Sequence, residues 1–486
     1  MALEDIIKNR INKLNKIKNS GIEPYPVFCN REMSCQDAEK NFTRISKKKK
    51  IILAGRIRII RAHGGLTFVE INDGTGKIQL SFQKTKIGEK AYKFFIDNFD
   101  VGDFIEARGF LFKTKRGEKT LEVSNYKILS KSVRPLPDKW HGIQDIEERF
   151  RKRYLDLLFN DEIKEKFIQK AQIITEIRKY LSENGFIEVD TTVLQPLYGG
   201  ARAKPFKTKH NALGMDFYLR ISPELYLKRL LVGGFEKVYE MGKCFRNEGI
   251  DRLHNPDFTM LEFYWSYADY KELMKFTEKF LSTIIKRVFG KTFIEYQGQK
   301  INFKTPWKRI EFLDFVKKET GIDYESLSRD GLAKEAVKLG IKVEKTMNKP
   351  EIIDEIYKKT CRHKLQNPTF LIHHPAGWFP LAKSYEKDDR KTANFQVIVA
   401  GWEIINSYSE LNDPIEQRKR LTEQEKFYKE GLEEAQRIDE DFIEALEYGM
   451  PPAAGWGMGI DRFVALLTNS HSLREAILFP AMKKRE

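Results

Sequence analysis

The sequence predicts an α+β protein: a small Greek-key β-barrel towards the N-terminus, followed by a larger domain of helices and strands. Three observations lead there. Five short β-rich stretches follow one another between residues 51 and 132, with one helical stretch between the third and fourth. From about residue 165 the pattern changes to long helical stretches mixed with strands. Over 486 residues, 41% are hydrophobic and 32% charged, which is enough apolar content for real cores and too much for a disordered polymer.

Taken in order, residues 2–20 form an amphipathic basic helix, with Ile6, Ile7, Ile11 and Leu14 at helical spacing; Pro24 and Pro26 end it. Its apolar run is too short for a signal peptide. A charge run, Lys47 to Lys50, closes this lead-in of residues 1–50. The barrel occupies 51–132. Its strands are Ile51 to Ile60, Leu66 to Ile71, Lys77 to Phe82, Phe104 to Phe112 and Thr120 to Leu129. Asp73-Gly74 with Thr75-Gly76 makes one tight turn and Arg116-Gly117 another; Ala91 to Asn98 is the intervening helix. Five strands with a helix after the third match the OB type of barrel, which binds single-stranded nucleic acid on exposed aromatic and polar strand residues. A hinge over 133–164 carries Pro135, Pro137 and the basic Arg149 to Arg153. The second domain covers 165–486. Glu162 to Glu183 leads into it as a helix. Its strand candidates are Phe217 to Ile221, Lys237 to Phe245, Phe258 to Ala268 and Gln396 to Ala400. A mostly helical insertion is expected over about 307–365.

Charge narrows the function classes. Lys and Arg number 86 against 70 Asp and Glu, a formal net charge of +16, and nucleic acid is the first candidate for a polyanionic partner. Cys29, Cys35, Cys244 and Cys361 are scattered, with neither a disulfide framework nor a C-x-x-C zinc pattern. No apolar run of about 18 residues occurs, so no membrane span is expected. A soluble, cytoplasmic protein is the expectation.

Two constellations carry chemistry. Phe245-Arg246-Asn247-Glu248-Gly249 ends one strand candidate, and a polar loop joins it to the next at Phe258. A guanidinium at such an edge can fork onto a phosphate. Glu248 suits an exocyclic amine, while His254 and Phe258 offer aromatic faces to a purine. Alone, Arg246 and Glu248 would read as a surface ion pair. The second constellation is Gly455-Trp456-Gly457-Met458-Gly459-Ile460-Asp461-Arg462, where alternating glycines let a strand approach a ligand closely. Asp461 would orient Arg462 or cap the helix that follows.

These two segments resemble motifs two and three of the class II aminoacyl-tRNA synthetases, and Gly185 to Asp190, leading to Pro196, resembles motif one. The nearest resemblance is to lysyl-tRNA synthetases of the bacterial and eukaryotic type. It covers nearly the whole chain, through Gly199-Gly200-Ala201-Arg202, Arg220 to Gly234, Phe245 to Asn255, Ser409 to Pro414 and Ile477 to Pro480. The class I signatures are absent. The resemblance implies an antiparallel-sheet catalytic domain flanked by helices, a homodimer, and ligation of L-lysine to tRNA(Lys) through a lysyl-adenylate.

Residue roles follow from the same resemblance. Arg246 and Arg462 would be catalytic, at the α- and γ-phosphates of ATP, with Glu248, His254 and Phe258 completing the ATP site. Glu403 and Glu410 would hold Mg2+. Lysine would meet Gly200, Glu224, Glu262, Tyr264, Asn406, Tyr408 and Glu410. Glu262 and Tyr408 would address the distal ammonium, with Glu224 and Gly200 near the α-amino group. A buried ammonium needs such carboxylates, because an unpaired one is costly. In the barrel, Phe68 and Gln79 would stack on and read the central anticodon base, with Glu118 a further contact.

Two departures stand out. Asn394-Phe395-Gln396 replaces the usual Arg-Phe-Glu, and the missing glutamate normally helps hold magnesium, for which a neutral amide is the weaker ligand. His373 to Pro380 also departs from the family pattern. Neighbouring His373 and His374 point to opposite sides if they lie on a strand, which favours structural roles over a metal. The rival readings are the same chemistry with aspartate or asparagine, and a tRNA-binding paralogue impaired in catalysis, which Gln396 alone favours. A ligase acting on a protein is a third, disfavoured by the barrel.

Overall fold

The computed structural model describes residues 2–46, 49–137, 145–345, 347–429, 434 and 436–484. Lys47 and Lys48 of the basic run, and 138–144 of the expected hinge, lie outside the described residues. The chain divides into two compact units, 1–142 and 143–486.

The first unit opens with helix α1 (Leu3–Asn19). Five strands follow: β1 (Lys50–His63), β2 (Leu66–Asn72), β3 (Lys77–Gln83), β4 (Phe104–Lys113) and β5 (Lys119–Ser130). They close into a barrel in the order β1-β2-β3-β5-β4. Alternation drives closure: Val69, Ile71, Leu80, Phe82, Leu111 and Leu121 point inward and are buried, while their neighbours face out. Helix α2 (Glu89–Asn98) plugs the barrel, its Phe95 stacked on Phe82 at 4.1 Å. Arg10 of α1 donates to the carbonyls of Ser132 and Val101, both at 3.0 Å, which ties the leading helix to the barrel.

The second unit is built on one eight-stranded sheet. Its elements are α3 (Asp161–Glu183), β6 (Ile187–Glu188), α4 (Glu224–Val232), β7 (Lys237–Phe245), β8 (Asp257–Ser266), α5 (Tyr270–Phe289), β9 (Lys308–Glu311), α6 (Phe312–Thr320), α7 (Arg329–Lys338), α8 (Lys349–Thr360), β10 (Thr369–Ile372), β11 (Asn394–Val399), β12 (Trp402–Ser409), α9 (Pro414–Lys429), α10 (Glu440–Glu447), β13 (Ala453–Gly459) and α11 (Ile460–Leu467). The strand order is β9-β10-β11-β12-β13-β8-β7-β6. The inner pairings are antiparallel, and each edge strand, β6 and β9, is parallel to its neighbour.

Period-two alternation gives the sheet two different faces. Phe263, Phe395, Val397, Ile405 and Trp456 pack in the main core with Phe280 and Ile284 of α5 and Phe463 of α11. The Trp456 ring stacks on Phe263 at 4.7 Å, and its indole N–H donates to Thr277 at 2.9 Å. The residues between them, Glu262, Tyr264, Asn406 and Tyr408, turn to the other face. Sequence patterning missed β6, β9, β10 and β12. β12 lacks a clean alternation, whereas β13 (AAGWGMG), expected as a strand from its alternating glycines, pairs as one. Phe217 to Ile221, expected as a strand, is Met215–Leu219 in a separate small sheet.

Candidate active site

The polar face of the sheet floors a cavity of about 660 Å³. Arg246, Glu248, His254 and Phe258 from the β7–β8 hairpin line it, as do Glu262, Tyr264, Asn406, Tyr408 and Arg462 from the sheet and the start of α11. Gly200, Glu224 and Glu403 complete the set. Of the expected residues in this unit, only Glu410 does not line it.

One end of the cavity is acidic and closed. Glu224 opens α4 and takes a hydrogen bond from Tyr408 Oη at 2.7 Å and from Lys228 Nζ at 2.7 Å. Glu262 receives Ser222 Oγ at 2.8 Å and Tyr264 Oη at 3.3 Å. Burial, and then the Glu224 charge, push the Glu262 carboxyl up to about 8. Glu410 is 1% exposed and pairs with Lys228 at 2.5 Å. Burial disfavours charge on Lys228, but Glu224 and Glu410 outweigh it, and its pKa is raised. Two buried carboxylates, Glu224 and Glu410, thus share one lysine, while Glu262 is held by the hydroxyls of Ser222 and Tyr264.

Gly455 makes this packing feasible. A Cβ there would lie 2.0 Å from Glu410 Oε1 and 2.5 Å from the Tyr264 ring. Position 455 admits two protein side chains, and Gly455, Gly457 and Gly459 all line the cavity.

The other end is basic and open. Arg246 lies with its guanidinium 5.1 Å from the Phe258 ring centre, and its Nε is buried without a partner among the described residues. Arg462 Nη1 donates to the Glu403 carbonyl at 3.4 Å, and Nη2 lies 3.2 Å from His254 Nε2. Asp251 holds the other side of that imidazole at 2.8 Å. Asp461 does not orient Arg462 or cap its helix; it accepts from Lys170 at 2.6 Å and from the Thr259 N–H at 2.8 Å, joining α3 to β8.

The two carboxylates expected to hold Mg2+ are placed differently. Glu403 faces the cavity, but Glu410 is sealed against Lys228 and is not presented with it. Gln396, also lining the cavity, is neutral. No group of three or more His, Cys, Asp or Glu among the described residues is placed to hold a metal ion. A single carboxylate fits magnesium that is carried mainly by nucleotide phosphates, not a cage made by the protein.

His373 and His374 take separate structural partners. His373 bridges Glu311 at 2.6 Å and Tyr270 at 2.7 Å. His374 is fully buried, accepts from the Asn394 amide at 2.8 Å, and packs on Phe312 and Trp378. Burial lowers its pKa to about 3, so it is neutral.

Sequence reasoning passed over Lys228, Ser222 and the α8 residues at the rim. Lys228 had a signal: it stands four residues after Glu224 on one helix face. Lys358 and Arg362 had none, lying in a segment rich in Lys and Arg.

In the barrel, Phe68 is half-buried on the outer face of β2, opposite Ser81 of β3. Gln79 stands two residues from Ser81 on the same strand and face, diagonal to Phe68. Its amide donates to Thr120 Oγ1 at 2.9 Å. Glu118 is exposed at the β4–β5 turn.

Comparison with known proteins matches this architecture. A family described as class II tRNA synthetases (D, K and N) matches residues 145–483, and an OB-fold nucleic acid binding domain matches 51–129. A lysine–tRNA ligase of Carboxydothermus hydrogenoformans is 46% identical over 485 residues, covering 100% of this chain and 99% of that protein. Those of Moorella thermoacetica and Thermotoga maritima are 44% and 42% identical, each covering 100% of this chain, with 99% and 97% of their own lengths matched. With the barrel, the eight-stranded sheet and full-length identity all in agreement, the chain belongs to the lysine–tRNA ligases of the class II tRNA synthetases.

Proposed function

We propose that this cavity forms lysyl-adenylate from L-lysine and ATP and then passes the lysyl group to tRNA(Lys). The observation that carries the reading is the polarity of the site. Its closed end buries Glu224 and Glu410 on one lysine, Lys228, and Glu262 on no cation within salt-bridge distance among the described residues, an excess of buried carboxyl groups that an incoming ammonium balances. An aspartate side chain would add a further carboxylate there. The open end presents Arg246 and Arg462 to polyphosphate.

In the first step a lysine carboxylate oxygen attacks the α-phosphorus and pyrophosphate leaves. Arg246, whose Nε lacks a partner, takes the charge growing at the α-phosphate, and Arg462 holds the far end of ATP. Phe258 and His254 flank the base, and Glu248 accepts from its amine. Magnesium, when bound with ATP, neutralises phosphate charge, and Glu403 is the cavity carboxylate suited to it. Tyr408, Tyr264 and Asn406 hold the lysine in line for attack; positioning supplies much of the rate in such transfers. A terminal tRNA hydroxyl then attacks the adenylate carbonyl and AMP leaves. Phe68, Gln79 and Glu118 read the anticodon. We place the protein in the cytoplasm as a homodimer. Ile187, on edge strand β6, is 51% exposed and supports the dimer reading.

The test is ATP–pyrophosphate exchange without tRNA, with lysine, aspartate or asparagine, across a magnesium series. Exchange with lysine alone is expected. Exchange with aspartate or asparagine overturns the substrate. No exchange on folded protein at high magnesium favours the impaired paralogue, for which neutral Gln396 is the supporting feature.

A further inference from the structure

The helical segment between β9 and β10 delivers a further arginine to the cavity, beside Arg246 and Arg462; Arg202, which also lines it, is paired with Glu351. Helix α8 starts with a capping box, Asn348 with Glu351, and ends at Thr360; a short 3₁₀ turn, Arg362–Lys364, follows. This turn is fastened to the β11–β12 turn. The Ala400 N–H donates to the Gln366 carbonyl at 2.8 Å and the Gly401 N–H to the Leu365 carbonyl at 3.0 Å. Glu403 lies two residues beyond Gly401, and its carbonyl receives Arg462. The junction therefore brings Arg362 to the same wall as Glu403 and Arg462, and all three line the cavity.

Arg362 differs from its neighbours in having no salt-bridge partner among the described residues. Lys358, one turn earlier, is neutralised by Asp354 at 2.7 Å and Glu355 at 3.0 Å. Arg246, Arg362 and Arg462 line the cavity with no salt-bridge partner among the described residues, whereas the rim carboxylates Glu351, Asp354 and Glu355 are already paired with Arg202 and Lys358, and neutral Gln396 adds no charge. Such a cluster calls for a polyanion.

We propose that Arg362 is a phosphate-binding residue for the β- and γ-phosphates of ATP and for the departing pyrophosphate. It supplies from the protein part of the neutralisation that a carboxylate at position 396 would leave to metal. The assignment rests on reading this cavity as the ATP site.

The test compares Arg362→Gln and Arg362→Lys with the unaltered protein. Titrations with ATP and with AMP, followed by calorimetry, need no turnover. Removing a charge-assisted phosphate contact should weaken ATP and raise the KM for pyrophosphate about tenfold, with AMP binding and the KM for lysine changed by less than about twofold. Arg362→Lys should recover part of the loss, and Arg362→Gln should need more magnesium for half-maximal exchange. Unchanged ATP binding, or equal weakening of ATP and AMP, overturns the proposal. Failure of the unaltered protein to exchange with lysine would instead count against the proposed function, while the ATP and AMP titrations still decide the role of Arg362.

Discussion

Glu262 couples substrate charge to protonation. Its carboxyl ionises near 8 in the folded chain against 4.5 as the ordinary value, with burial the first cause and the Glu224 charge the second. A folded value above the unfolded one means that the fold favours the protonated form. This contribution is complete below the unfolded value and is lost as pH rises from about 4.5 to about 8. The ligand-free protein should therefore lose thermal stability across that window, and Glu262→Gln should flatten the loss, as read by melting temperature against pH. Lysine brings an ammonium that favours the ionised form, so binding should release a proton below pH 8. Calorimetry in two buffers of unlike ionisation enthalpy measures that release. Glu262→Gln should abolish it and weaken lysine by about 3 kcal/mol, the order found for breaking a buried charge pair, with ATP little changed. Equal lysine affinity in the variant would remove Glu262 from the pocket.

At the scale of elements, the β11–β12 turn joins floor to rim. Gly401 sits at φ +73°, where L side chains are strained, and a Cβ there would meet His363 Cα at 3.2 Å. Gly401→Ala should cost about 1–2 kcal/mol of stability for the left-handed conformation. It should also displace the Arg362 turn, so that ATP binding falls while AMP and lysine binding hold. Loss of all three together would mean that the floor itself has moved. This junction also marks what the chain's pattern revealed and what it hid. β7 was readable over Lys237–Phe245 because its alternation is clean and a polar loop follows it. β13 was legible through its alternating glycines alone: position 455 leaves room for Glu410 and Tyr264 and shows no side-chain period. The ATP-site and lysine-site residues named from motif strings do line one cavity, Glu410 excepted, because those strings fall on adjacent strands. Glu410 lies behind that lining, paired with Lys228, a contact that sequence does not show. Arg362 was invisible because its importance comes from a tertiary clamp, not from its neighbours in sequence.

The whole molecule separates recognition from chemistry. The barrel has a closed core of its own, from Ile51 to Ile128, and the catalytic unit has its own clusters around the sheet. Phe68 belongs to neither interior: it stands half-buried on an outer face where its ring is free to stack, beside Gln79. Base–aromatic stacking contributes about 1–3 kcal/mol per base. Phe68→Ala should thus raise the KM for tRNA by roughly tenfold or more, while lysine-dependent ATP–pyrophosphate exchange stays unchanged, because the described residues that line the cavity all belong to the second unit. Charging assays with tRNA(Lys), run beside exchange assays on the same preparation, separate the two. If exchange fell in parallel with charging, Phe68 would be acting on the fold of the chain and not on the anticodon. Gln79→Ala provides the companion measurement. Its amide is held by Thr120 Oγ1 across the β3–β5 pair, so its loss should relax discrimination at one base more than it weakens total binding.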